Sequence, residues 1–139
     1  MCSGISLSWR DVPDALIKRH GLHDRICTRS EGADREIQFL RRHRKPLVPA
    51  WRDSQLNIYP WGRHLRAESL ADGFLADDAM EVLIPASMGV EKGVWFQIRE
   101  GLKGVFVRGR VHMLTKPASH YYRIMTRSQR MPVFIGNDY

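Results

Sequence analysis

From Leu47 onward the chain is broken into short runs of β-branched, aromatic and aliphatic residues separated by polar or glycine-containing turns, a pattern that favours strands over long helices. Runs 47–51 and 55–61 flank the polar turn Arg52-Asp53-Ser54 and read as a hairpin with alternating faces. Runs 81–87, 93–98, 104–107 and 110–115 read as successive strands, the middle pair joined through Arg99-Glu100-Gly101, and 131–135 as a closing strand. Helices are short and scattered. Asp11 can cap one through about His20, with Pro13 in its first turn and Gly21 at its end. Glu36, Ile37, Phe39 and Leu40 suggest a second, running into Arg41-Arg42-His43-Arg44-Lys45, and 70–79 reads as helix or loop. Pro117 and Ser119 open a last helix bearing Tyr121, Tyr122, Ile124 and Met125. The expected class is therefore α+β: β-rich, with a mostly antiparallel, barrel-like sheet and a few short helices.

With 139 residues, 43% of them hydrophobic, the chain can bury one real core and not two, so 1–139 is expected to be a single domain. Its two cysteines, Cys2 and Cys27, make neither a disulfide framework nor a zinc cluster, and no metal or other cofactor is expected. The chain shows no leader and no long apolar run, which points to a cytoplasmic protein without a membrane partner. The formal charge of +7 suits a polyanion such as nucleic acid, although a solvated basic surface would give the same composition.

Cys2 is the sharpest chemical feature. If the initiator Met1 is trimmed, Cys2 presents an amine and a thiol on neighbouring carbons, a pair that traps an aldehyde as an imine and then closes a thiazolidine ring. The basic run Arg41, Arg42, Arg44 and Lys45 precedes a hairpin carrying Trp51, Tyr59 and Trp61, with Arg63 and Arg66 just beyond. Cations interleaved with flat rings suit single-stranded nucleic acid, where each base stack contributes about 1–3 kcal/mol. Trp61 reads as partly buried, and Trp51, at a polar turn, as the better exposed platform.

Four separated pieces fall in one order: Met1-Cys2, then Trp61-Gly62, then Leu83-Ile84-Pro85-Ala86 followed by Glu91, then Leu114-Thr115 with Pro117-Ala118 before Arg130-Met131-Pro132-Val133. This order resembles the SOS-response-associated peptidase (SRAP) family, of which the chain would be a divergent and shortened member. The family opens Met-Cys-Gly-Arg, has a Trp-Gly and a Leu-Ile-Pro-Ala-Asp-Gly-Phe-Tyr-Glu-Trp run, and ends its core in His-Asp-Arg-Met-Pro-Val. His64-Leu65-Arg66-Ala67-Glu68-Ser69 is similar to its Asn-Ala-Arg-x-Glu-Thr.

The resemblance implies a protein of the DNA damage response that binds single-stranded DNA and joins Cys2 to the ring-opened aldehyde of an abasic site, a crosslinking or lyase-type chemistry. It implies nucleoid association when DNA is bound. Glu91 would pass protons during imine formation and ring closure. Arg66 would clamp a phosphate, His64 would donate to phosphate or to the opened sugar, and Arg127 and Arg130 of the closing motif would join the nucleic-acid contacts. The family histidine is replaced by Ser128, and His120, about 12 Å earlier along a helix axis, cannot simply stand in for it, so it is a catalytic candidate only in a rearranged site. Cys2 is followed by Ser3-Gly4, and Glu91 is flanked by Val90 and Lys92 instead of aromatics. Two alternatives therefore stand beside the crosslinker: an SRAP-derived module that holds nucleic acid without covalent chemistry, and a cysteine-dependent amide hydrolase. Neither oligomeric state nor a choice between DNA and RNA follows from the residues.

Overall fold

A computed structural model of the protein describes residues 2–71, 78–136 and 139. The strands are β1 (Gly4–Ser8), β2 (Ile26–Cys27), β3 (Glu36–Leu40), β4 (Leu47–Arg52), β5 (Gln55–Pro60), β6 (Leu65–Arg66), β7 (Met80–Ile84), β8 (Met88–Glu91), β9 (Val94–Gln97), β10 (Leu102–Val107), β11 (Arg110–Pro117) and β12 (Arg130–Pro132). The helices are α1 (Asp14–His20), α2 (Ala67–Ala71) and α3 (His120–Thr126), with single 3-10 turns at Trp9–Asp11 and Leu22–Arg25.

The strands form two sheets. One runs β2-β3-β1-β8-β9; the other runs β12-β11-β10-β7-β4-β5, with β6 added in parallel to β11. Every other named pairing is antiparallel, so the β-rich, mostly antiparallel α+β architecture is observed. Among the described residues no continuous ladder closes either sheet into a barrel, but the second curls toward closure: just past β5, Trp61 bridges to Val111 of β11, and Gly62 N–H donates to Val111 O at 2.8 Å. Buried side chains from both sheets, including Ile5, Ile37, Phe39 and Phe96 from the first and Val48, Ile84, Val111 and Met113 from the second, belong to one hydrophobic cluster. Burying such surface supplies the main force holding the sheets together.

Three hairpins turn on two residues with positive φ: Asp53-Ser54 between β4 and β5, Lys92-Gly93 between β8 and β9, and Arg108-Gly109 between β10 and β11. That backbone matches the right-handed twist of paired strands. The β8–β9 turn matters most for function because it fixes Glu91 at the last paired position, opposite Val94.

Several sequence expectations change. Residues 36–40 form a strand, since Ile37 and Phe39 alternate with the more exposed Glu36 and Gln38, a period of two. Strands β1 and β8 were not expected, and together they position Cys2 and Glu91. The runs ending and beginning around Arg99-Glu100-Gly101 are consecutive but unpaired: β9 belongs to the first sheet and β10 to the second. Asp11 lies in a 3-10 turn and Pro13 takes the cap position of α1, while Gly21 ends that helix in the left-handed region as expected. Much of the stretch at 70–79 lies outside the described residues.

Candidate functional site

The N-terminal segment is pinned between two strands. Ser3 N–H donates to Val90 O (2.8 Å), and Ser3 Oγ donates to the same carbonyl (3.0 Å). On the other side Arg41 N–H donates to Ser3 O (2.9 Å). These bonds extend the β1 ladder back to Ser3 and set the adjoining Cys2 near the end of β8, where Glu91 stands. Cys2 is 1% exposed, and its Sγ donates to Gly4 O at 3.1 Å. Burial pushes its thiol up to about 11, and the neighbouring Glu91 charge acts in the same direction, so the sulfur is a thiol near neutrality.

Glu91 is 4% exposed and Ser128 is 2% exposed, although they are 37 residues apart. Ser128 Oγ donates to Glu91 Oε1 at 2.8 Å. Two further bonds hold this pair in place. Lys92 Nζ donates to Arg127 O (2.8 Å), tying the β8–β9 turn to the end of α3. Ser128 N–H donates to Thr126 Oγ1 (3.2 Å), which itself donates to Tyr122 O (2.8 Å). The helix starts where Ser119 accepts from Tyr122 N–H and stops at Arg127, whose φ of 61° turns the chain so that Ser128 faces inward.

Tyr122 was read from the sequence only as part of this helix. It is fully buried, edge-on to Phe96 with ring centroids 5.4 Å apart, and its hydroxyl is enclosed with it. Burial raises its pKa, and the charges of Cys2 and Glu91 add to that, which puts the phenol in the same enclosed neighbourhood. Its spacing from Ser119 is a recognisable cap pattern; nothing in the sequence indicated that its hydroxyl would be sealed in.

A second wall is built around Arg41. Its Nη1 donates to Gly62 O (2.6 Å), and its guanidinium lies over the Trp61 ring at 5.4 Å. Trp61 is 4% exposed and tilts against His64 with centroids 6.0 Å apart. Gly62 is required here because a Cβ would run into the His112 ring, whose Nδ1 meets Arg63 O at 2.7 Å. Both ring nitrogens of His64 are buried without a hydrogen-bond partner among the described residues. Burial, then the Arg41 charge, pulls its pKa down to about 4, so the imidazole is neutral and can donate through only one nitrogen. Beside this wall Ser3, Gln38, Leu40, Arg41, Arg42 and Trp95 line an open cleft of about 390 Å³.

The remaining candidates scatter. His120 is exposed at the first position of α3, and Ser119 supplies the cap there. Arg130 is engaged inside the protein: it forks onto Glu68 (2.6 and 2.9 Å) and donates to Thr115 O and Oγ1. Arg66 is exposed on β6, and Arg63, Arg127 and Arg42 are also exposed. Trp51 is 43% exposed, as expected of a platform, but it lines a different cleft with Glu81, Lys103 and Ile135. Tyr59 packs on Phe106 instead of standing free. Arg44 and Lys45 face a cleft of their own. Among the described residues no three His, Cys, Asp or Glu side chains gather as a metal site, and no helix is long and apolar enough to cross a membrane.

Comparison with protein-family models, with curated proteins and with solved structures returned no match.

Proposed function

We propose that the protein binds single-stranded DNA and, once Met1 is removed, captures the aldehyde of an abasic site on Cys2. The observation that supports this reading is the convergence of Cys2, Glu91 and Ser128 from three distant segments into one buried group, with Ser128 Oγ 2.8 Å from Glu91 Oε1. They are the positions at which the resemblance to the SRAP family expects its nucleophile, its carboxylate and its histidine.

The chemistry proceeds in two steps. The Cys2 amine adds to the aldehyde carbon and water leaves, giving an imine. The thiol then adds across the C=N bond: sulfur bonds to carbon, the nitrogen gains a proton, and the five-membered ring closes. Glu91 is the proton carrier for both steps, giving a proton to the departing hydroxyl and taking the one lost by the thiol. A carrier is needed because the buried sulfur, with its pKa pushed up to about 11, does not ionise unaided. Neutral His64 and the Arg41 guanidinium border the place where the opened sugar and its phosphate would lie.

A second reading, a non-covalent nucleic-acid module, is favoured by one observation: the residue at the family histidine position is a serine whose hydroxyl is spent on Glu91. The amide-hydrolase alternative has nothing comparable, since a buried, protonated thiol is the opposite of an activated thiolate. The two leading readings part on one experiment. Incubation with an oligonucleotide carrying a single abasic site gives a heat-stable shifted band in wild type and none in Cys2→Ser. Binding without a stable band, from protein shown to lack Met1, selects the non-covalent module.

A further inference from the structure

The turn between β3 and β4 separates two clefts. Arg41 and Arg42 line the one beside Ser3 and Trp95; His43, Arg44 and Lys45 line another, of about 540 Å³, together with Gly21, Asp24 and Arg25 from the end of α1 and the following 3-10 turn. The second cleft collects donors. Arg25 is held by Nη2 donating to Lys45 O at 2.8 Å, while its Nη1 is buried and meets no acceptor among the described residues. An unpaired guanidinium nitrogen is costly, and burial pulls the Arg25 pKa below its ordinary value. His43 accepts from Leu40 N–H through Nδ1 at 3.2 Å, so its neutral ring carries the proton on Nε2 as a further donor. Burial, then the Arg25 and Arg42 charges, lowers the His43 pKa and keeps that ring neutral. Arg44 and Lys45 are exposed at the rim, and Asp24 is the single carboxylate in the lining among the described residues.

We propose that this second cleft binds a phosphate group, with Arg25 and His43 as the inner donors and Arg44 and Lys45 as the outer charges. A tetrahedral dianion supplies what these side chains lack, an acceptor for Arg25 Nη1 and for the imidazole N–H, and its charge outweighs the opposing carboxylate of Asp24. The site stands apart from Cys2 and needs none of the chemistry proposed there. The phosphate can come from a nucleic-acid strand that crosses the Arg41–Lys45 turn from the first cleft, a source that rests on the reading above, or from a small phosphorylated molecule.

Calorimetric titration of the full chain with inorganic phosphate at low ionic strength tests the site directly. Saturable binding is expected in wild type and in Cys2→Ser, and about tenfold or weaker binding in Arg44→Ala/Lys45→Ala and in Arg25→Lys, which loses the planar fork. The rim double variant removes only exposed side chains and keeps the Lys45 carbonyl, so it leaves the fold intact. No saturable binding, or equal affinity in wild type and the rim variant, overturns the proposal. So does loss of phosphate binding in Cys2→Ser, which would put the anion in the first cleft. An undamaged single strand separates the sources. If the rim variant also lowers the log–log salt slope for that strand by about 1.4, two contacts at about 0.7 each, the phosphate belongs to the strand. An unchanged slope with phosphate binding lost assigns the site to a small phosphorylated molecule.

Discussion

His64→Asn should make the protein less sensitive to acid. In the unfolded chain this imidazole takes its proton near 6.5, whereas in the folded protein burial and the Arg41 charge delay protonation to about 4. Between those values the unfolded state binds more protons than the folded one, so stability falls as pH is lowered through the window and is unaffected above it. From pH 7.5 to 4.5 the shift from 6.5 to about 4 corresponds to roughly 2.5 kcal/mol lost through this one group, at about 1.4 kcal/mol per pH unit. Asparagine does not titrate, so the variant should lose that much less than wild type over the same interval. Other groups contribute equally to both proteins and cancel in the difference. Urea unfolding at the two pH values reads it: with a slope of about 2 kcal/mol/M, the wild-type midpoint should fall by about 1 M more than that of the variant. Equal falls, or a larger one in the variant, would show that His64 is solvated and that the enclosed wall around Arg41 and Trp61 is not there.

Ser128→Ala removes a buried hydrogen bond to a carboxylate and should cost about 1.5–3 kcal/mol in urea unfolding; a cost below about 0.5 kcal/mol would mean that the 2.8 Å contact with Glu91 does not persist. Glu68 is held down at about 2 by its fork with Arg130, so the stability it adds is present above the ordinary carboxylate value of 4.5 and lost as pH falls through about 2. Glu68→Gln should therefore differ from wild type at neutral pH and converge with it near pH 2, and a gap independent of pH would remove the pair from the account. A disulfide reagent at pH 8 should label Cys27, which is only part-buried, well before Cys2, so that Cys27→Ser leaves little labelling before unfolding; rapid modification of both thiols would contradict the burial of Cys2.

The sequence made strands legible where apolar runs were bounded by clear turn residues, and less so where a short run lacked them. Runs 47–51 and 55–61 around Asp53-Ser54 reappear as β4 and β5 because the polar turn residues take the positive φ of a two-residue hairpin; the expected alternation of faces is not seen in β4, where Leu47 to Ala50 are all buried. Glu36–Leu40 misled because Ile37, Phe39 and Leu40 also fit one face of a short helix, and only pairing with Gly4–Ser8 settles the period. Strand β1 itself gave little local signal. Ser6 and Ser8 do alternate with Ile5 and Leu7, but the run is only five residues long and no turn signal bounds it, so its period of two is easily passed over. Cys2 and Glu91 stood out through their chemistry and the motif order. The Ser128 bond to Glu91, the sealed Tyr122 hydroxyl and the pinning of Ser3 by Val90 and Arg41 are long-range contacts, fixed by how α3 and the β8–β9 turn meet and not by any local pattern. The interleaved Arg and Trp residues dispersed for the same reason: Trp61 turned inward beneath Arg41 and Trp51 stayed outside.

Intact-mass measurement of the product formed with an oligonucleotide bearing one abasic site tests the central claim most directly. The thiazolidine account predicts a single species whose mass is that of the chain without its initiator methionine plus the oligonucleotide less one water, since imine formation releases one water and ring closure releases none. That species should withstand heating, should be missing with Cys2→Ser, and should appear more slowly with Glu91→Gln. Protein confirmed to lack its initiator methionine that binds the strand and yields no such mass after long incubation would contradict covalent capture at Cys2.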